Sequence, residues 1–213
     1  MYPINNIAGI EKQEKNIEGS HVIALLLVKP QDKNAEFYLK MINYYHQKSS
    51  EYCSIYMLGY SFDFQGMYSD AVKIEVHNTQ EWEYSDSCFI EACDELKRRL
   101  KNWNYSGELE MIILQNSSAV NPKKYLDFTN YVYVDINYGI SHKYIDSIPR
   151  FMERFLEACK SEVSAVEVVS KAERKRIKPR KIIETTLELM PKLPKPVTFI
   201  MRDHIFFKTY KGR

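Results

Sequence analysis

The sequence predicts an α/β domain in which helices flank a mostly parallel or mixed five-stranded sheet. Short apolar runs alternate with amphipathic helical stretches between residues 20 and 160. Strands that alternate with helices in this way are typical of βαβ units. Four of the apolar runs show no alternation of apolar and polar residues, as expected of central, mostly parallel strands that are buried on both faces. These four runs are 22–28, 53–59, 109–114 and 131–136.

Three segments of the chain differ in composition. Residues 1–20 are polar and form an N-terminal lead-in, which is either flexible or an early strand added to an edge of the sheet. Residues 21–170 form the α/β domain. Residues 171–213 form a basic C-terminal extension, for which a short helix and a β-hairpin are predicted.

The first half of the α/β domain is predicted to contain three strands and a helix. The continuous aliphatic run at 21–28 predicts the first strand. Residues 33–47 carry apolar side chains at helical spacing, which predicts a helix. The run at 53–60 predicts the second strand, with a turn at Gly59. Residues 71–76 alternate apolar and polar side chains, which indicates a more exposed strand near an edge.

The second half is predicted to contain two helices and two strands. The strongest helical pattern runs from Asp86 to Lys101 and begins at a cap formed by Ser85 or Asp86. The next strands are the runs at 109–114 and 131–136. A second helix extends to about Lys160, and Asp146 or Ser147 caps it. The apolar stripe of the first helix consists of Phe89, Cys93, Leu96 and Leu100.

Residues beyond 160 form less regular patterns. Residues 163–169 are compatible with either a helix or a strand, and 182–190 predict a short helix. Three prolines between 191 and 196 predict a stiff connector. The apolar runs around residues 202–204 predict a hairpin over 197–208.

Composition excludes several classes of protein. Hydrophobic residues make up 45% of the chain and charged residues 27%, values typical of a folded domain. The longest aliphatic run is too short to span a bilayer, and the N-terminus does not resemble an export signal. The four cysteines form no CxxC or metal-binding pattern and are expected to be reduced thiols. We therefore expect a cytoplasmic protein without a membrane partner. Its richness in Lys, Asn, Ile and Tyr suggests an AT-rich prokaryotic or phage genome.

The common cofactor and nucleophile motifs are absent from the sequence. Seven glycines are scattered singly, so neither GxGxxG nor GxxxxGK[ST] can form, and dinucleotide binding and P-loop hydrolysis are disfavoured. No GxSxG is present for a nucleophile elbow. The five histidines occur in neither HExxH nor a Cys/His zinc pattern. The sequence thus predicts no cofactor and no metal ligands.

Polar residues follow the predicted strands, and open α/β sheets bind ligands outside the carboxyl ends of their strands. The best-placed candidate is Asp135, which directly follows an apolar strand and would be partly desolvated there. In an enzyme it would be a general base or a ligand of Mg²⁺, assisted by Asp32, Asp63 or His142. The same residue types are also common in ordinary loops. The other strand-end residues are Lys29, Ser61, Gln115, Asn116 and Asn137.

Two further patterns are better explained by ordinary structure. Asp70 and Glu75 resemble the acidic residues of restriction-type nucleases, but His77 occupies the position of the lysine and Lys73 precedes the glutamate. The many aromatic residues lie at strand and helix spacing, which favours a core role over base stacking.

Charge is distributed unevenly along the chain. Residues 171–213 contain 13 Lys/Arg and 4 Asp/Glu, whereas residues 1–170 contain 17 and 24. Residues 171–181 are the densest basic segment, which could dock on the acidic body of its own or a sister chain. It could instead bind nucleic-acid phosphates or be a solvated linker. The candidate partner- or anion-binding residues are Arg174, Lys175, Arg176, Lys178, Arg180 and Lys181.

Two functions follow as expectations. The first is an interaction or sensing module that acts within a protein complex, or as a homo-oligomer, through its basic C-terminal region. The alternative is a metal-dependent enzyme that acts on a phosphate-containing or nucleic-acid substrate with strand-end carboxylates. Convergence of Asp32, Asp63 and Asp135 would favour the enzyme.

Overall fold

The structure is a computed structural model of the 213-residue chain. It describes residues 1–17, 22–49, 52–76, 80–100, 103–115, 126, 128, 130–160 and 207–211. The predictions for 163–169, for the basic segment and for the helix at 182–190 lie outside these residues. So does the predicted hairpin, apart from Phe207 and Lys208.

Nine strands and five helices are present in the described part of the chain. The strands are β1 (Tyr2–Ile4), β2 (Val22–Leu27), β3 (Cys53–Leu58), β4 (Tyr60–Ser61), β5 (Val72–Val76), β6 (Gln80–Tyr84), β7 (Glu110–Gln115), β8 (Asn130–Asp135) and β9 (Phe207–Lys211). The helices are α1 (Ile7–Glu14), α2 (Ala35–Ser49), α3 (Asp86–Arg99), α4 (Ile136–Ser141) and α5 (Ile148–Lys160).

The main sheet is mixed, with the strand order β1-β3-β2-β7-β8-β9. Five of its strands come from residues 2–135, so the predicted mixed α/β sheet is confirmed, and β9 pairs with β8 at the far edge. The four aliphatic strands were expected to be mostly parallel; β2, β3 and β8 do run in one direction, but β7 runs opposite to them, so β2–β3 is the one parallel pair among these neighbours. Residues 103–109 lead into β7, which begins at the edge of the sheet where α3 also begins, so β7 runs antiparallel to β2.

Helices cover both faces of the main sheet. The crossovers β1-α1-β2 and β2-α2-β3 proceed in opposite directions along the sheet, so right-handed connections put α1 and α2 on opposite faces. Arg99 of α3 pairs with Glu11 of α1 at 2.6 Å. Lys48 of α2 pairs with Glu153 of α5 at 3.2 Å. The domain is therefore a three-layer sandwich with α1 and α3 on one side and α2 and α5 on the other.

The N-terminal residues belong to the fold. Tyr2–Ile4 form the edge strand β1, parallel to β3, as one of the two alternatives for this segment predicted. Asn6 caps α1 by accepting a hydrogen bond from the Gly9 amide at 2.7 Å. At the other end of α1, the fully buried Glu14 accepts a hydrogen bond of 2.7 Å from the Tyr56 hydroxyl. Helix α1 itself was not predicted from the sequence.

The two strongest helix predictions are confirmed. Ser85 caps α3 by accepting a hydrogen bond from the Cys88 amide at 3.0 Å, and the predicted apolar stripe is buried. Ser147 accepts a hydrogen bond from the Arg150 amide at 3.4 Å at the start of α5. None of the helices in the described residues has the length and apolarity needed to cross a membrane.

A second, three-stranded sheet projects from the end of β3, with the order β4-β6-β5. Gly59 separates β3 from β4 and has a φ of 84°. Its amide donates to the Ile4 carbonyl at 3.1 Å, and its carbonyl accepts from the Ser85 amide at 3.1 Å. The strand predicted at 71–76 is β5, an edge strand whose residues from Val72 to Glu75 are largely exposed, as predicted.

Replacing Gly59 with alanine is expected to destabilise the protein by about 2–4 kcal/mol, measured by urea unfolding. A positive φ costs an L-residue about 1–2 kcal/mol, and the new Cβ would lie 2.7 Å from the Cβ of Phe89. Gly107→Ala is the matched control, because Gly107 has a φ of 89° but no atom within 4 Å of the added Cβ. Equal losses in the two variants would contradict a packing role for Gly59.

Candidate functional site

Most of the predicted strand ends lie together at one end of the main sheet, which we call the strand-end edge. The parallel strands β1, β2 and β3 end there. Leu27 pairs with Glu110, and Glu110 pairs with Asp135, so β7 begins and β8 ends at the same edge. Because β7 is antiparallel to β2, Gln115 instead lies opposite Val22 at the other edge. The strand-end edge therefore includes Asp135 but not Gln115.

Asp135 and His142 lie at the two ends of one short helix. Asp135 caps α4 by accepting a hydrogen bond of 2.8 Å from the Tyr138 amide. His142 ends the helix, where its Nδ1 lies 2.9 Å from the Ser141 hydroxyl and 3.0 Å from the Tyr138 carbonyl oxygen. Its ring stacks on the Tyr138 ring, with centroids 3.9 Å apart. The helix thus separates the two residues that were predicted to act together.

The carboxylates of Asp32 and Asp63 each stabilise a local turn. Asp32 accepts a hydrogen bond of 2.9 Å from the Lys29 amide. Asp63 accepts one of 2.7 Å from the amide of Gln65, a residue with a φ of 53°. Among the described residues, no group of three or more His, Cys, Asp or Glu side chains is arranged to hold a metal ion.

Glu110 is an acidic residue of this edge that the sequence analysis missed. It is fully buried at the start of β7, directly opposite Asp135 in the pairing register. Its Oε1 accepts hydrogen bonds from the Ser106 amide at 2.8 Å and from the Tyr133 hydroxyl at 3.0 Å, whereas Oε2 has no partner within the described residues. Burial raises the pKa of the Glu110 carboxyl, and the charge of Asp135 raises it further.

A cleft of about 250 Å³ lies beside this edge, between α3 and the segment that precedes β7. Lys29 lines it and pairs with Asp86 at 2.9 Å, while the Tyr84 hydroxyl donates to the same carboxylate oxygen at 2.8 Å. The hydrogen bond from Lys29 and the one from Tyr84 lower the pKa of Asp86. Burial raises the pKa of the Cys93 thiol in the cleft wall to about 12, so Cys93 is not a thiolate nucleophile at neutral pH.

A more pronounced feature is an acidic surface on the second sheet and α3. Residues 60–99, from β4 to the end of α3, contain nine Asp/Glu and four Lys/Arg, three of the four in the last turn of α3, whereas the rest of residues 1–170 contains 15 Asp/Glu and 13 Lys/Arg. All nine carboxylate residues are exposed or partly exposed. We call this surface the acidic face. Its carboxylate residues are Asp63, Asp70, Glu75, Glu81, Glu83, Asp86, Glu91, Asp94 and Glu95.

The loop that joins β4 to β5 ties the second sheet to α3. The Phe64 amide donates to Glu83 at 2.7 Å, and the Tyr68 hydroxyl donates to Glu91 at 2.8 Å. Asp70 accepts hydrogen bonds from the Ser85 hydroxyl at 2.7 Å and from the Ser87 amide at 2.8 Å, which lower its pKa. The acidic face is therefore a connected surface. Through these contacts Asp70 caps α3, whereas Glu75 lies on the edge strand β5. The two acidic residues of the nuclease-like pattern therefore belong to different structural elements.

The two faces of the second sheet differ in polarity. Tyr60, Trp82 and Tyr84 point to one side and are buried, as expected from the period-2 alternation of strands. The other side carries Glu75, Glu81, Glu83 and Lys73. Glu75 and Glu81 are directly paired in the β5–β6 register, and Lys73 reaches Glu81 at 2.5 Å. The charged side of the second sheet is therefore one part of the acidic face, and α3 is the other.

The predicted binding residues of the basic segment, Arg174 to Lys181, lie outside the described residues. Comparisons of the chain with protein-family models, with curated proteins and with solved structures found no match.

Asp135→Ala is expected to lower the free energy of unfolding by about 1 kcal/mol, because the first turn of α4 loses its cap. Asp135→Asn keeps a capping oxygen and should change stability by less than half of that amount. Chemical denaturation of the two variants measures the difference. A large loss of stability in Asp135→Asn would contradict the capping role and show that the charge itself matters.

Glu110→Gln is expected to remove a pH dependence of stability. Because the pKa of Glu110 is higher in the folded than in the unfolded state, its stabilising contribution is complete below pH 4.5 and is lost as the pH rises through the folded-state pKa. The stability of Glu110→Gln relative to wild type should therefore increase between pH 4 and pH 8 in urea titrations. Glu36→Gln is the control, because Lys40 lowers the pKa of Glu36 and the trend should reverse. A pH-independent difference for Glu110→Gln would contradict this reading.

Proposed function

We propose that the protein is an interaction module whose acidic face binds a cationic protein partner. The observation that carries this proposal is the excess of acidic residues on the second sheet and α3, where residues 60–99 hold nine Asp/Glu and four Lys/Arg, and three of the four basic residues lie together in the last turn of α3. Clustered charge of one sign steers an oppositely charged partner and raises its rate of association. The same charge repels the phosphates of nucleic acids, so this face favours a basic protein.

The hydrogen bonds of the predicted catalytic residues also favour an interaction module over a metal-dependent enzyme. Asp32, Asp63 and Asp135 each accept a hydrogen bond from a nearby backbone amide. Each carboxylate therefore has a structural task in its own loop or helix. A binding surface needs none of them to meet, whereas a metal-dependent enzyme needs them within a few ångströms of one another.

The basic segment at 171–181 is the second contact element of the proposal. It contains seven Lys/Arg and one Glu, which makes it complementary in charge to the acidic face. Such a pair of opposite charges allows the chain to join a larger complex, or to associate with a second copy, through two different surfaces. Binding of the segment to nucleic-acid phosphates remains the competing proposal for it, with a steep dependence of affinity on salt as its signature.

An enzyme acting on a phosphate-containing substrate is the second candidate. The register pair of Glu110 and Asp135 favours it, since two carboxylates at one strand-end edge are a starting point for a Mg²⁺ site. Calorimetric titration of the full chain with Mg²⁺ tests this candidate. Binding that is lost in Asp135→Asn would support an enzyme, and no binding at millimolar Mg²⁺ would remove it.

The interaction proposal is tested with a labelled peptide of residues 171–181, whose binding is followed by fluorescence anisotropy. The receptor is the full chain with its own basic segment neutralised, so that the peptide meets no competitor within the chain. The receptor carries glutamine at Arg174, Lys175, Arg176, Lys178, Arg180 and Lys181.

Neutralising Glu75, Glu81 and Asp94 in this receptor is expected to weaken peptide binding about tenfold, since each exposed charge contributes about 0.5 kcal/mol. The control neutralises Glu36, Asp146 and Glu157, exposed carboxylates outside the acidic face, and should change the affinity less than twofold. Equal losses in both variants, or a receptor that does not bind the peptide at low salt, would overturn the proposal.

A further inference from the structure

Two polar groups in the wall of the cleft beside the strand-end edge lack hydrogen-bond partners. The cleft has a volume of about 250 Å³, and Trp103 and Tyr105 both line it. Trp103 is only 3% exposed, and within the described residues neither its indole Nε1 nor the Tyr105 hydroxyl has a partner. A buried polar group without a partner loses free energy that a hydrogen bond recovers. A ligand in the cleft can supply the partners that the fold does not.

Aromatic rings form much of the cleft wall. Phe89 meets Tyr105 edge-on with ring centroids 5.2 Å apart, and Trp103 supplies the third ring. Ile90 also lines the cleft and is 53% exposed, so a bound molecule can cover its apolar side chain. Aromatic rings pack well against other rings in edge-on or offset arrangements. Because ligand pockets commonly measure about 300–1,000 Å³, the size of this cleft suits a planar molecule of one or two rings.

The charges around the cleft balance one another. Lys29 and Lys97 line it as cations, and Asp94 lines it as an anion. Lys29 is already paired with Asp86 at 2.9 Å, and its Nζ lies 5.3 Å from the centroid of the Phe89 ring. Two positive charges are therefore accompanied by two negative charges, so the cleft favours a neutral ligand over a charged one.

We propose that the cleft binds a neutral, planar heteroaromatic molecule of one or two rings. A ring nitrogen or carbonyl oxygen of the ligand accepts a hydrogen bond from the Trp103 indole N–H, which can only donate. The Tyr105 hydroxyl bonds to a second polar atom of the ligand. The position agrees with the general location of ligands outside the carboxyl ends of strands in open α/β sheets. This inference goes beyond the proposed function, because it concerns a small molecule and depends on buried groups of the cleft.

Titration of the full chain with quinoxaline tests the proposal through the indole N–H resonances. Quinoxaline is a neutral molecule of two fused rings, and its two ring nitrogens accept hydrogen bonds. The chain contains two tryptophans, Trp82 and Trp103, so the ¹⁵N-labelled protein gives two indole resonances, which the variant Trp82→Phe assigns. The indole proton of Trp103 is expected to shift downfield as its hydrogen bond forms. That of Trp82 should stay in place, because Trp82 lies on β6 and does not line the cleft.

Calorimetric titrations with a variant and with a second probe test the role of the hydrogen bond. Trp103→Phe keeps an aromatic ring and removes the N–H group, so it is expected to weaken quinoxaline binding at least fivefold. Trp82→Phe is the matched control and should change the affinity less than twofold. Naphthalene has the shape of quinoxaline without its acceptors, and it should bind the wild-type chain at least fivefold more weakly. This second comparison does not depend on the folding of Trp103→Phe.

Three outcomes would overturn the proposal. The first is an unshifted Trp103 indole resonance at millimolar quinoxaline, or equal shifts of both indole resonances. The second is equal affinity for naphthalene and quinoxaline, because the cleft would then select shape alone. The third is tighter binding of quinoxaline-2-carboxylate than of quinoxaline, because the cleft would then select a negative charge. None of these outcomes bears on the acidic face, whose own test uses a basic peptide.

Discussion

Gly59 joins the two sheets and positions everything that follows β3. Its positive φ turns the chain out of the main sheet, its amide bonds to Ile4 in β1, and its carbonyl accepts from Ser85, the cap of α3. Phe89 packs so closely against it that a single added carbon would lie 2.7 Å from the Cβ of Phe89. One residue thus links the edge strand, the second sheet and the helix, and through them sets the orientation of the acidic face relative to the strand-end edge. A surface for recognition gains from such a junction, because a rigid orientation lowers the entropy that is lost on binding.

The carboxylates of the acidic face differ in what they contribute to the stability of the fold. Several of its carboxylates stabilise the fold, since Asp70 caps α3, Asp86 pairs with Lys29, and Glu83 bonds to the Phe64 amide. Charged residues on an edge strand, lysine in particular, also protect it from unwanted pairing, and β5 carries both Lys73 and Glu75. Glu75 lies opposite Glu81, and Lys73 offsets the repulsion between them by pairing with Glu81. A cationic partner of the kind proposed for this face would neutralise the remaining charge of Glu75.

The sequence predicted those elements whose pattern is local. The aliphatic runs of β2 and β3, and the serine cap with the buried stripe of α3, were recognised because period and capping are properties of neighbouring residues. Strand direction was not predicted, because the segment at 103–109 that leads into the antiparallel strand β7 has no periodic signal. Strand β6 was missed because its residues alternate aromatic and acidic side chains and also precede a strong helix. Glu110 was missed inside an aliphatic run, although a carboxylate in a buried strand is itself a signal of a special environment. The capping role of Asp135 depends on α4, which was not predicted either.

The distribution of charge favours the proposed recognition surface over a role in solubility alone. Solubility requires a net charge, and charges spread over the whole surface supply it while keeping mutual repulsion small. In residues 1–170 of this chain, most of the acidic surplus lies on one unit of connected sheet, loop and helix, residues 60–99, which hold nine Asp/Glu and four Lys/Arg against 15 and 13 in the rest. Concentration of this kind increases repulsion within the unit, and it gains nothing in solubility over an even distribution. It does create a local field whose range is about a Debye length, roughly 8 Å at physiological ionic strength, so that it acts on a partner already close to the surface. The exposed apolar residues Phe62, Met67 and Val72 lie on the same unit, where a partner drawn in by the field would bury them. The proposed surface would then combine short-range electrostatic attraction with burial of apolar side chains on contact.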